Sequence, residues 1–132
     1  MTLERALGSG SEETLREKPH IAIAGASGRV GSRLLTHWAE NYQITPLQHS
    51  HSVPQLETAD ETVEGFDITN RENVLKTVES LARNGVLTMI NSTGVLTTDA
   101  SEKDRGDHSS PMYQVHVLGA RYLAQACREY GV

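Results

Sequence analysis

Seven residues, Gly25-Ala-Ser-Gly28-Arg-Val-Gly31, follow the apolar run His20-Ile-Ala-Ile-Ala24 and open a stretch whose apolar side chains recur at helical spacing. A strand, a tight glycine turn and a helix in that order leave a chain few folds, because the turn brings the helix back onto its own strand. Gly25 suits the tight turn, Gly28 a close approach of the backbone to a bound group, and Gly31 the contact of helix with strand. The first N–H groups of a helix have no intrahelical partner and carry partial positive charge, so this turn is suited to linked phosphates. Ser27, Arg29 and Val30 complete the segment and count with its glycines as candidate site residues.

The rest of the chain repeats the alternation. Val30, Leu34, Leu35 and Trp38 form one helical face after the turn. Tyr42–Leu47 reads as a second strand, with Pro46 suiting an edge or a strand end. Val63–Ile68 reads as a short third strand, ending at Asp67. Thr69 or Asn70 can cap a helix whose stripe is Val74, Leu75, Val78, Leu81 and Ala82, and Asn84-Gly85 ends it. Val86–Ile90 is a continuous apolar run, expected to be a parallel strand buried on both faces. Ser110-Pro111 starts a last helix lined by Met112, Val115, Leu118, Tyr122, Leu123, Ala126 and Tyr130. The expected fold is α/β: a partial Rossmann fold with a parallel sheet of about four strands, order 3-2-1-4, flanked by helices. Ligands bind such sheets at the carboxyl ends of the strands, where Gly25–Gly31, Asp67 and the segment after Asn91 all fall.

Bulk properties narrow the classes. The chain has 132 residues, one domain's worth, with residues 1–18 expected as a flexible lead and 19–132 as the folded part. A net charge of −5 without a long basic run argues against a nucleic-acid partner. No apolar stretch approaches the ~20 residues of a membrane span, and no secretory leader is recognisable. A single cysteine, Cys127, excludes an internal disulfide and fits a reducing compartment, so a cytoplasmic location is expected. No set of metal ligands is apparent. His49-Ser-His51 lacks a nearby Cys or carboxylate, and Asp107-His108-Ser109 holds triad residue types that cannot form a triad as neighbours.

Taken in register, the pieces resemble an extended short-chain dehydrogenase/reductase of the NAD-dependent epimerase/dehydratase superfamily, which includes nucleotide-sugar epimerases and reductases. The matching segments are Gly25–Gly31, Phe66-Asp-Ile-Thr69, Met89-Ile-Asn-Ser-Thr-Gly94 and Tyr113-Gln-Val-His-Val-Leu-Gly119. Thr97-Thr-Asp99-Ala-Ser-Glu102 brings the pattern closest to the dTDP-4-dehydrorhamnose reductase type. The resemblance implies that Gly28, Arg29 and Val30 meet a dinucleotide's pyrophosphate and that Asp67, with the Ile68 backbone beside it, meets the adenine amino group. It also implies that Thr93, Gly94 and Val95 run past the nicotinamide-side ribose. The family's Tyr-x-x-x-Lys motif has no match: Tyr42 is followed four residues on by Pro46, Tyr113 by Val117 and Tyr122 by Ala126. His116 stands where the family usually has Asn. The resemblance therefore implies the cofactor half alone, truncated before a fifth strand, with no catalytic residues of its own and no competence for hydride transfer by itself.

The end of the second strand offers Gln48, His49, Ser50 and His51 where an acidic residue would select NAD, and Arg29 can face a 2′-phosphate, so the expectation leans to NADP over NAD. The alternative function is a non-catalytic nucleotide-sensing or protein-interaction module. A sheet that ends at its fourth strand leaves an open edge, so a homodimer or a complementing chain is an expected partner.

Overall fold

The computed structural model describes residues 18–49, 62–94 and 106–132. The expected lead (except Lys18), Val95 and the Thr97–Glu102 stretch lie outside these residues. The elements run β1 (His20–Ala24), α1 (Arg29–Trp38), β2 (Gln43–Leu47), α2 (Arg71–Arg83), β3 (Thr88–Asn91), α3 (Pro111–Tyr113), a π-helical segment (Gln114–Gly119) and α4 (Ala120–Tyr130). β1 is central and pairs in parallel with β2, Ile21 opposite Ile44, and with β3, Ile21 opposite Thr88. Described strands therefore stand in the order β2-β1-β3.

The two faces of β1 belong to different cores, as period-two alternation requires. Ile21 and Ile23 pack with Ala26, Leu35 and Ile44, under the half-buried Leu34 and Trp38 of α1. Ala22 and Ala24 pack with Leu47, Phe66 and Ile68, with Val74, Val78 and Leu81 of α2, and with Leu123 and Ala126 of α4. One helix covers one face of the sheet and two cover the other, the layering of a doubly wound α/β domain. The Asn70 side chain caps α2 by accepting from the Asn73 N–H at 3.0 Å.

Four expectations change in detail. The third strand shrinks to a single parallel bridge, Leu47 to Val63, on the outer side of β2. The pairing is brief: the Pro46 carbonyl accepts from Val63 N–H at 2.9 Å, so the Pro46 ring nitrogen also faces outward and costs β2 no bond to β1. Beyond Val63 the chain turns at Gly65, φ 70°, and Phe66 rather than Gly65 donates to the Gln48 carbonyl. Pro46 thus lies inside β2, fully buried, rather than at its end. Val30 leaves the expected apolar face and is 61% exposed, because Gly31, one residue on, is the position turned against the glycine turn. β3 is not buried on both faces. Thr88 and Asn91 are exposed, since no described strand lies beyond it. The π-helical segment was not foreseen; it inserts in the last helix between the Ser110 cap, which accepts from Tyr113 N–H at 3.1 Å, and the stripe of α4.

Candidate functional site

The carboxyl ends of β1, β2 and β3 open onto a cavity of about 610 Å³, within the range of small-molecule sites. Three segments expected to act together meet there: Gly25, Ser27 and Gly28 from the turn after β1, Asp67 and Ile68 ahead of α2, and Thr93 and Gly94 after β3.

The turn after β1 is held by its own glycines. Gly25 has φ 77°, and a Cβ on it would stand 2.7–2.8 Å from the backbone of Ser92 and Thr93. A Cβ on Gly31 would collide with the Gly25 carbonyl oxygen and stand 2.8 Å from Ala26 Cα and Ser92 Oγ. Gly25 and Gly31 are thus required by the fold, and Gly31 serves behind the site rather than in its wall. Gly28 differs. It is exposed, its φ of −75° and ψ of 175° are open to any residue, and a Cβ there would meet only the Gly25 carbonyl oxygen, at 3.2 Å. The protein's own packing asks less for glycine here than at Gly25 or Gly31, since only the Gly25 carbonyl oxygen would have to give. That start has no side-chain cap and no acidic residue in its first turn, so its positive end faces the cavity mouth uncompensated. Arg29 and Val30 begin α1, exposed at the rim rather than in the cavity wall.

Among the described residues, Asp67 is the one carboxylate of the wall. Its Oδ1 accepts from Thr69 Oγ1 at 2.6 Å and from Thr69 N–H at 3.0 Å. Its own N–H donates to Asn73 Oδ1 at 2.9 Å, and Asn73 Nδ2 donates to the Gly65 carbonyl, so α2 fixes the whole approach to the site. The Thr69 hydroxyl holds the Asp67 carboxyl below its ordinary pKa; burial opposes this, while the Thr69 N–H and the nearby His49 ring reinforce it. Asp67 is therefore ionised at neutral pH and only accepts, with Oδ2 left over by the Thr69 bonds.

The β3 end uses the same device. Asn91 Oδ1 accepts from Thr93 N–H at 3.1 Å and from Thr93 Oγ1 at 2.5 Å. Ser92 N–H and Oγ both donate to the Ala24 carbonyl, tying this segment to β1. Gly94 lies against His116, whose Cε1 would be 3.1 Å from a Cβ there. His116 therefore packs at the rim of the site rather than apart from it.

The remaining wall is Leu47, Gln48 and His49 at the end of β2, with Phe66, Thr69, Ser92 and Val115. Of these the sequence drew attention to Gln48 and His49. Phe66 and Leu47 read as strand interior, and Val115 as core stripe; nothing in their pattern distinguishes a cavity wall from a core. Among described residues no three His, Cys, Asp or Glu side chains gather as metal ligands, and no helix is long and apolar enough to cross a membrane. Cys127 is half-buried against the larger core, and burial raises its thiol pKa, which keeps it protonated.

Comparison with known proteins agrees with this fold. Solved structures with the same fold include a UDP-glucose 4-epimerase of Thermus thermophilus in complex with NAD, 19% identical with a TM-score of 0.66 over 86% of this chain and 35% of that one. A UDP-glucose 4-epimerase of Brucella ovis in complex with NAD is 19% identical with a TM-score of 0.65, over 85% and 33%. The uronate dehydrogenase of Agrobacterium tumefaciens is 18% identical with a TM-score of 0.63, over 86% and 37%. The chain thus spans about a third of the length of these structures. No curated protein matches it. The model of the NAD dependent epimerase/dehydratase family matches residues 21–132, and with the glycine turn, Asp67 and the β3 end in place, the chain belongs to that family.

Proposed function

We propose that residues 19–132 bind a nicotinamide dinucleotide across the carboxyl ends of β1, β2 and β3, as the cofactor half of a nucleotide-sugar reductase or epimerase. The observation that carries this reading is the convergence of the Gly25–Gly28 turn, Asp67 and Thr93–Gly94 on one cavity, with Gly28 less constrained by the protein's own packing than Gly25 or Gly31. The uncapped N–H groups of α1 take the pyrophosphate, with Arg29 and Val30 beside them. Asp67 Oδ2 accepts from the adenine amino group, with Ile68 flanking it. Thr93, Gly94 and Val95 pass the ribose of the nicotinamide half. When bound, that group accepts or gives a hydride. This chain's contribution is to hold and orient it.

Within the family, the Met89–Gly94 and Thr97–Glu102 patterns favour the dTDP-4-dehydrorhamnose reductase type. Without a Tyr-x-x-x-Lys motif, these residues lack the general acid/base the family uses, which supports a role in holding the cofactor rather than in hydride transfer alone. Gln48 and His49 at the end of β2, and Arg29 at the rim, favour NADP over NAD. Calorimetric titration of the full chain with NADP and NAD tests both claims. Binding of neither removes the cofactor reading, and NAD binding as tightly as NADP removes the preference.

A single cysteine, Cys127, with no second one to form an internal disulfide supports a reducing, cytoplasmic setting. The outer edge of β3 supports a partner. Leu87 N–H donates to His20 on β1, so the backbone groups of Thr88 and Ile90 point the other way, and Leu87 is 64% exposed. A second copy or a complementing chain covers this edge. Light scattering on a sizing column checks it, and a monomer at every concentration removes the homodimer. A nucleotide-sensing role without catalysis is the second reading, favoured by the missing Tyr-x-x-x-Lys motif.

A further inference from the structure

The three residues after β3 are gripped from two sides. On the β1 side, the bare α-carbon of Gly25 abuts the Ser92 carbonyl and the Thr93 nitrogen, and Gly31 leaves room for Ser92 Oγ. On the other side the His116 imidazole backs onto Gly94, so close that a methyl there would stand 3.1 Å from Cε1 and 3.6 Å from Nε2. Gly94 has no positive φ that demands glycine. Both residues are exposed, so the ring crowds a side chain at Gly94 rather than closing the space to it. His116 belongs to the π-helical segment, a departure from regular helix that concentrates at functional sites. Its neighbour Val115 enters the cavity wall.

We propose that His116 is a positioning residue for the β3 wall of the cleft. By backing Gly94, the ring sets how far Thr93–Gly94 stands from the glycine turn, and so how well the cleft takes the ligand half beyond the pyrophosphate. This rests on the dinucleotide reading. The adenine half, held by Asp67 and Ile68 on the opposite side of the turn, does not depend on His116.

The test titrates the full-length chain and its variants with two probes, NAD and ADP, by calorimetry. His116→Ala weakens NAD about fivefold, about 1 kcal/mol at about 1.4 kcal/mol per tenfold, and leaves ADP within a factor of two. His116→Gln, which keeps a planar polar group, restores at least half of the loss. Gly94→Ala alone weakens NAD to a similar degree, because its methyl displaces the ring; on the His116→Ala background it adds less than a twofold change. Unchanged NAD affinity in His116→Ala overturns the proposal, and so does a parallel loss of NAD and ADP, which would mean a general role in folding. If wild-type chain binds ADP and NAD equally, no second half is held and the proposal fails while the adenine site stands. If it binds neither, and NADP does not bind, the dinucleotide reading fails and takes this proposal with it.

Discussion

The same side chain placed at two glycines three residues apart should produce opposite defects. At Gly31, a Cβ already collides with the Gly25 carbonyl oxygen and stands 2.8 Å from Ala26 Cα and Ser92 Oγ, and valine adds two methyl groups to that space. Two of the three obstacles are backbone, so the turn must move. Overpacking costs about 1–3 kcal/mol where side chains can yield; with backbone in the way, Gly31→Val belongs at or above about 3 kcal/mol. At about 4 °C per kcal/mol for a chain of this size, its Tm falls by about 12 °C or more. At Gly28 a Cβ meets one atom, at 3.2 Å, in an extended conformation that valine accepts. The remaining cost is a poorer helix cap, about 0.5–1 kcal/mol or about 2–4 °C. Yet Gly28→Val fills the space in front of α1, and NAD affinity should drop at least tenfold in a folded protein. Circular dichroism melts at 222 nm and NAD titrations of both variants are the assay. Wild-type affinity in Gly28→Val would place the ligand elsewhere. Equal melting of the two variants would refute the packing assigned to Gly31.

Asp67→Ala should weaken NAD by about 1–2 kcal/mol, the loss of one hydrogen bond to an ionised acceptor; an unchanged Kd ends its adenine role. Thr69→Val should raise the Asp67 pKa toward its ordinary value, read by carboxyl NMR titration, because the Thr69 hydroxyl is the main influence lowering it. A carboxyl with a depressed folded pKa stabilises above its unfolded pKa, near 3.8, and loses that contribution as pH falls through the folded value. The stability gap between wild type and Thr69→Val should therefore be open at pH 6 and narrow below about pH 4; a gap independent of pH would contradict this. Asn70→Ala removes the cap on Asn73 N–H and should lower Tm by about 4 °C, from about 1 kcal/mol of cap stabilisation; no shift in the melt would deny that the cap matters.

What the sequence made legible was what local chemistry decides. The ends of β1, the Ser110 and Asn70 caps and the stripe Val74, Val78, Leu81 follow from apolar runs, side-chain acceptors and helical period, and the structure has them there. Asp67 and Thr93 were legible for a related reason, since strand ends in a parallel sheet converge wherever the strands do. Properties set by neighbours were not legible. Val86–Ile90 has the composition of a doubly buried strand, but burial needs a strand on its far side. Pro46 reads as a strand end, yet inside a strand only the direction of its missing N–H matters, and register decides that. Val30 and Gly31 differ by 100° of helix, and the need of Gly31 to face Gly25 turns Val30 to solvent. The π-helical segment leaves no compositional trace, so the contact of His116 with Gly94 and the place of Val115 in the wall emerge only in three dimensions.

The central claim is that the mouth of this sheet receives a dinucleotide along one line, from Asp67 across the glycine turn to Thr93. Amide chemical shifts followed by two-dimensional NMR as NAD is added to the ¹⁵N-labelled chain test it most directly. Saturable shifts are expected at Gly25–Gly31, Asp67–Thr69 and Ser92–Gly94, with His20 and Asn84 at the opposite end of the sheet unmoved. Shifts confined to that opposite end or to Leu87 and Cys127, or none at millimolar NAD, would contradict it.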